Sequence, residues 1–68
     1  MKNSILLHDA STNFPIDIAN DMIAVCERTD DGKTCIYFKH PLQDDDGNEY
    51  PAAIVNETVE KIYKLRNE

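Results

Sequence analysis

The sequence predicts an α+β fold, a small antiparallel sheet of three to four strands with one C-terminal helix packed on one face. Three observations predict it. Apolar residues alternate with polar ones in short runs, an Asp-Gly pair sits between two of those runs, and the closing residues switch to helical spacing. With 68 residues there is room for one domain, 1–68, and for a thin core.

Residues 5–8 form a short apolar run suited to a first strand, and residues 9–13 (Asp-Ala-Ser-Thr-Asn) carry turn chemistry. Phe14, Ile16 and Ile18 then alternate with Pro15 and Asp17, the period of a half-buried strand. Pro15 has no amide hydrogen to donate, which places that strand at an edge. Residues 19–22 read as a tight turn or one helical turn.

Residues 23–28 and 34–39 flank Thr-Asp-Asp-Gly-Lys, and Asp-Gly is a strong hairpin signal. With Asp31 and Gly32 at the turn, Val25 falls opposite Phe38 and Glu27 opposite Ile36. Ile23, Val25, Ile36 and Phe38 then share the core face. Ala24, Cys26, Cys35 and Tyr37 share the other, which is apolar enough to be an interface. Residues 40–49, with Pro41, Asp44, Asp45, Asp46 and Gly47, read as a solvated loop. Residues 50–55 are a weak strand because of Pro51 and two alanines.

Asn56 suits a helix N-cap, Glu57 and Glu60 lie near the positive end of that helix, and Lys61, Lys64 and Arg66 lie towards its negative end. Val55, Val59, Ile62 and Tyr63 make its apolar stripe. The same reading puts Phe14, Phe38 and Tyr63 in the core.

The chemistry-bearing residues point away from catalysis. Aligning Gly47 with the glycine of a calcium-binding EF-hand loop puts Leu42 at its first position and Ala53 at its last, where oxygen ligands are required. His8 and His40 lack the spacing of metal ligands, and neither is placed to activate Cys26 or Cys35. Two cysteines are too few for a disulfide scaffold, so both are expected as free thiols. Gly32 and Gly47 are absorbed by turns, leaving no phosphate loop. No metal and no cofactor are expected.

A net charge of −6 and a pI near 4.7 repel phosphate backbones at long range. A nucleic-acid surface would need Lys33, Lys39, Lys61, Lys64 and Arg66 to converge, and basic residues do not interleave with aromatic ones as in single-strand binders. The acidic residues are not set in rows that would mimic a phosphate backbone. The first apolar run stops after Leu7, short of the roughly 7–15 residues of a signal core, and no run approaches the roughly 18 of a membrane span. A cytoplasmic chain without a membrane span is expected.

Phe14-Pro-Ile-Asp-Ile, Asp21-Met-Ile-Ala-Val and Gly32-Lys-Thr-Cys-Ile-Tyr-Phe follow one another in an order that resembles the small flagellar and swarming motility proteins FlbD and SwrD. The ending Val55-Asn-Glu-Thr-Val-Glu-Lys-Ile is similar to theirs at Val55, Glu57, Thr58 and Ile62. The likeness covers nearly the whole chain through a hydrophobic pattern, and it implies a small β-rich chain with a motility role. The same succession is similar to the β-rich DNA-binding domain of LytTR response regulators. That likeness implies basic loops entering grooves, where this chain has the acidic Asp30, Asp31 and Asp44 to Asp46.

The sequence therefore favours a non-enzymatic protein-interaction or adaptor module, homodimeric or bound to a protein partner. Ala24, Cys26, Cys35, Tyr37 and the edge at Pro15 are its candidate interface. A nucleic-acid-associated regulator is the alternative reading.

Overall fold

The structure, a computed structural model, describes residues 3–68. Met1 and Lys2, which precede the run weighed against a signal core, lie outside the described residues. In chain order come β1 (Ser4–His8), β2 (Pro15–Ala19), a 3-10 turn (Asn20–Met22), β3 (Ile23–Arg28), β4 (Thr34–Gln43), β5 (Glu49–Val55) and α1 (Val59–Arg66). The antiparallel α+β architecture with a C-terminal helix is as expected. The strand count is not: the described residues form five strands, in a β1–β2 ladder and a β3–β4–β5 ladder.

A short joint connects the ladders. Asp9 bridges Val55, the Ala10 amide donates to the Ile54 carbonyl at 2.9 Å, and the Asn56 amide donates to the His8 carbonyl at 2.9 Å. The lateral order is therefore β2, β1, β5, β4, β3. Its two outermost strands, β2 and β3, are separated in sequence only by the 3-10 turn. A flat sheet would hold strands four places apart at about 19 Å. The four Cα steps from Ala19 to Ile23 span at most about 15 Å. The sheet must therefore curl, and its concave side holds one core of Ile5, Leu7, Ile18, Ile23, Ile36, Phe38, Val55 and Ile62. Helix α1 packs on β1 and β3, one strand from each ladder.

The β3–β4 hairpin corrects the expected register. Its turn centres on Asp30 and Asp31: the Gly32 amide donates to the Thr29 carbonyl at 3.1 Å, and the Thr29 amide donates to the Lys33 carbonyl at 3.0 Å. Gly32 then takes φ +84°, a left-handed conformation that costs glycine little. Val25 consequently faces Tyr37, Cys26 faces Ile36 and Glu27 faces Cys35, and a bulge between Ile23 and Val25 puts Ile23, not Val25, opposite Phe38. A one-residue slip exchanges the faces of a strand. Cys26 has gone to the core side, while Ala24 and Val25 both point outward across the bulge.

The weakly predicted last strand is formed, and its prolines mark the break in it. Pairing of β4 with β5 runs from Thr34 opposite Val55 to Tyr37 opposite Ala52, then resumes at Leu42 opposite Tyr50. Residues 38–41 thus face the single Pro51. Neither Pro41 nor Pro51 can donate to a ladder, so the interruption falls where hydrogen bonds are already missing.

Three further expectations are corrected. Phe14 and Tyr63 are 69% and 70% exposed rather than in the core, and Leu65 packs on the core in place of Tyr63. The N-cap of α1 is Thr58, whose hydroxyl accepts the Lys61 amide at 3.1 Å. Asn56 instead spans two turns: its side-chain amide donates to Asn13 Oδ1 at 2.9 Å, and its Oδ1 accepts from Lys33 Nζ at 3.0 Å.

Candidate interaction surface

The outward side of the three-stranded ladder carries two cross-strand rows, apolar but for Glu27. One is Val25, Tyr37 and Ala52; the next is Glu27, Cys35 and Ile54. Tyr50, Ala52 and Ile54 alternate along β5 and share that side. Val25, Tyr37, Tyr50 and Ile54 are all exposed. The Tyr37 hydroxyl donates to Glu27 Oε1 at 3.4 Å, a long bond that leaves the ring lying across the face.

Beside this face a groove of about 590 Å³ separates the β1–β2 turn from the outer part of the β4–β5 hairpin. Phe14, Leu42, Tyr50 and Ile54 line it, with Phe38 at its floor and Asp9 on its rim. Asp9 builds its own turn: its Oδ2 accepts the amides of Ser11 and Thr12 at 3.0 Å each and the Thr12 hydroxyl at 3.1 Å. The Thr12 amide in particular holds the Asp9 carboxyl below its ordinary value. Asn13 follows with φ +63°, and the chain then presents Phe14 to solvent.

The acidic loop is a second turn of the kind seen at Gly32. The Gly47 amide donates to the Asp44 carbonyl at 3.1 Å, the Asp44 amide donates to the Asn48 carbonyl at 3.0 Å, and Gly47 has φ +83°. Asp44 Oδ1 accepts the amides of Asp46 and Asn48 at 3.0 and 2.9 Å, and its Oδ2 accepts the Tyr50 hydroxyl at 2.8 Å. The Tyr50 hydroxyl contributes most to lowering the Asp44 pKa, and in return the Tyr50 phenol is raised. This carboxylate organises its own loop.

On the helix side the polar groups are paired. Glu57 is 9% exposed; its Oε1 accepts the His8 amide at 2.9 Å and its Oε2 the His8 ring Nδ1–H at 2.7 Å. Burial pushes the Glu57 carboxyl up, but the His8 ring and amide outweigh it and the net shift is downward. Its main-chain carbonyl accepts the buried Thr34 hydroxyl at 2.7 Å. A carboxylate orienting a histidine is one part of a general base, yet these bonds include no cysteine or serine and fix β1 to the β5–α1 turn. At the other end of α1, Asn20 Oδ1 accepts Arg66 Nε at 2.6 Å, and the Asn20 side-chain amide donates to the Arg66 carbonyl at 3.2 Å.

Of the expected interface, the structure keeps Ala24, Cys35 and Tyr37 on the outward side. It moves Cys26 under α1, into a cleft of about 200 Å³ with Val59, Ile62, Tyr63 and Arg66. Burial pushes the Cys26 thiol up, against the pull of Arg66. Pro15 lies on β2 in the other ladder, paired with His8. Sequence reasoning missed Val25, Leu42, Tyr50 and Ile54. The signal that could have found the last two was their alternation with Ala52, together with the second Asp-Asp-Gly.

The basic residues are spread. Lys33 is held by Asn56 and Arg66 by Asn20. Lys39 is six residues from Lys33 along β4, a separation of about 20 Å in an extended strand. Lys61 and Lys64 are exposed on α1, which covers the core side. Among the described residues no helix is long and apolar enough to cross a membrane. Comparison with protein-family models, curated proteins and solved structures gives no match to this chain.

Proposed function

We propose that this chain is a non-enzymatic protein-interaction module that self-associates through the outward side of β3, β4 and β5. The observation that carries the reading is the exposed row of Val25, Tyr37 and Ala52 beside Cys35 and Ile54. Contiguous apolar surface of this kind marks an interface, and tyrosine is enriched in such surfaces. Charge supports the choice of face. Of thirteen acidic residues only Glu27 belongs to those two rows, while Lys33 and Lys39 bracket the outward positions of β4. A small domain with a thin core also gains stability from area buried against a second copy.

The likeness to the flagellar and swarming motility proteins belongs to the same proposal, as the setting in which such a module would act. No observation favours the nucleic-acid reading, because its five basic residues are dispersed.

Sedimentation velocity over a concentration series tests the reading. The unaltered chain is expected to run as a dimer and Tyr37→Asp as a monomer with an unchanged circular dichroism spectrum. A wild-type chain that stays monomeric at the highest concentration overturns self-association.

A further inference from the structure

We infer that the groove between the β1–β2 turn and the β4–β5 hairpin binds an extended segment of a partner protein, one carrying Lys or Arg beside apolar side chains. The inference rests on the interaction-module reading, and the groove adjoins the self-association face, sharing Tyr50, Ala52 and Ile54 of β5 with it while Val25 and Tyr37 lie outside its lining. Shape comes first. The groove's volume of about 590 Å³ lies within the range of about 300–1,000 Å³ typical of binding clefts. Its apolar lining of Phe14, Leu42, Tyr50 and Ile54 is held open by two turns, each with an internal set of hydrogen bonds.

Backbone geometry selects an extended occupant. On its side away from β4, β5 is engaged by residues 8–10 only around Ile54 and Asn56. From Glu49 to Ala53 that edge has no partner strand among the described residues. Unpaired strand edges take up extended chains, with alternate side chains entering adjacent pockets. Main-chain groups alternate sides along a strand, so with Ile54 and Asn56 turned to residues 8–10 the free edge presents the amides and carbonyls of Tyr50 and Ala52, and Pro51 faces β4.

Charge selects the sign of the occupant. Asp9 lines the groove at one end. At the other, the bond from the Tyr50 hydroxyl to Asp44 ties the groove to the run of Asp44, Asp45 and Asp46, next to Glu49. Among the described residues no Lys, Arg or His lines it, and the nearby Lys39 and His40 belong to the bulged stretch outside the lining. A second copy of a chain with net charge −6 is a poor occupant of an acidic-rimmed groove, whereas a basic and apolar segment complements it.

The test is to pan a phage library of random twelve-residue peptides against the full chain and measure the selected peptides by fluorescence anisotropy. Selected peptides are expected to combine Lys or Arg with Leu, Phe or Trp and to bind less tightly as salt is raised. Leu42→Asp and, independently, Phe14→Ser should each weaken them at least about tenfold, with folding checked by circular dichroism. The double change Asp45→Lys, Asp46→Lys should weaken them too. Tyr37→Asp, outside the groove lining, should not weaken them, which separates the groove from the Val25 and Tyr37 part of the self-association face. No enrichment, enrichment of acidic peptides, or equal affinity for Leu42→Asp and Phe14→Ser would overturn the inference. Peptide binding by a wild-type chain that is monomeric would sink only the dimer.

Discussion

The region under α1 and the groove are built on the same two ladders, yet one is closed with matched polar pairs and the other is left open. On the side of α1, polar groups are matched in pairs: Glu57 with His8, Thr34 with the Glu57 carbonyl, Asn20 with Arg66. Around the groove, the large side chains Phe14 and Tyr50 stay mostly in water, and although Ala10 with Ile54 and Asn13 with Asn56 join the walls at one end, the side-chain bonds of Asp9 and Asp44 serve the two turns. Apolar surface contributes to folding when it leaves water. The contrast separates a region where substitutions act on stability from one where they act on binding.

The sharpest way to break that contrast is to cut the core that both regions share. Ile36→Ala removes a fully buried side chain and is expected to cost about 2–5 kcal/mol. That is comparable to the whole stability of about 3–5 kcal/mol expected for a chain this small. Urea titration followed by circular dichroism should find the variant largely unfolded in water. If it keeps the wild-type midpoint, the core is not where it has been placed.

Next in size is the Glu57 clasp. Glu57→Ala leaves the His8 amide and ring without their acceptor and should cost about 1–3 kcal/mol in the same titration. The clasp also has a pH signature. The folded-state pKa of Glu57 lies below its ordinary value of 4.5. Its contribution is therefore present above the unfolded-state value and is lost as pH falls through the lower folded-state one. Glu57→Gln should accordingly flatten the acid side of the stability profile below about pH 4.5, and an unchanged profile would assign the acid loss to other carboxylates. Thr58→Ala, which removes the α1 cap, should cost about 1 kcal/mol in urea.

The two turns sharpen the comparison further, since they share one geometry at different places. A Cβ on Gly32 or Gly47 meets nothing within 4 Å, so Gly32→Ala and Gly47→Ala should each cost only the left-handed strain, about 1–2 kcal/mol. The smallest effect belongs to the open groove. Phe14→Ser, at a side chain 69% exposed, should shift stability by no more than about 0.5 kcal/mol. A larger loss would mean that the groove wall supports the core.

Much of this contrast was legible in the residues, and the parts that were not share a cause. The strands from Ser4, Pro15, Ile23 and Thr34 and the terminal helix follow from alternation and charge order. The hairpin register did not follow. Asp31 and Gly32 fit a two-residue turn as well as Asp30 and Asp31 followed by a left-handed Gly32, and the two choices differ by one residue, enough to exchange Val25 with Cys26. Phe14 and Tyr63 looked like core because aromatic residues usually are, whereas their exposure depends on the Asp9 turn and on Leu65 filling the helix position. The joint of Asp9 with Val55 had no local signal at all. The ending that suggested a family is a folding device here: Val55 and Ile62 are buried, Glu57 makes the clasp and Thr58 caps the helix.

Asn20 has one more consequence. Its amide donates to the Asn3 carbonyl at 2.8 Å while its side chain holds the last turn of α1 at Arg66. Residues 3 and 66 therefore meet at one asparagine, on the helix side of the molecule. A short linker between those points would let the chain be circularly permuted, with new ends opened between Asp45 and Asp46 at an exposed hairpin tip. Such a permutant would begin within the β4–β5 turn and keep the same lateral strand order.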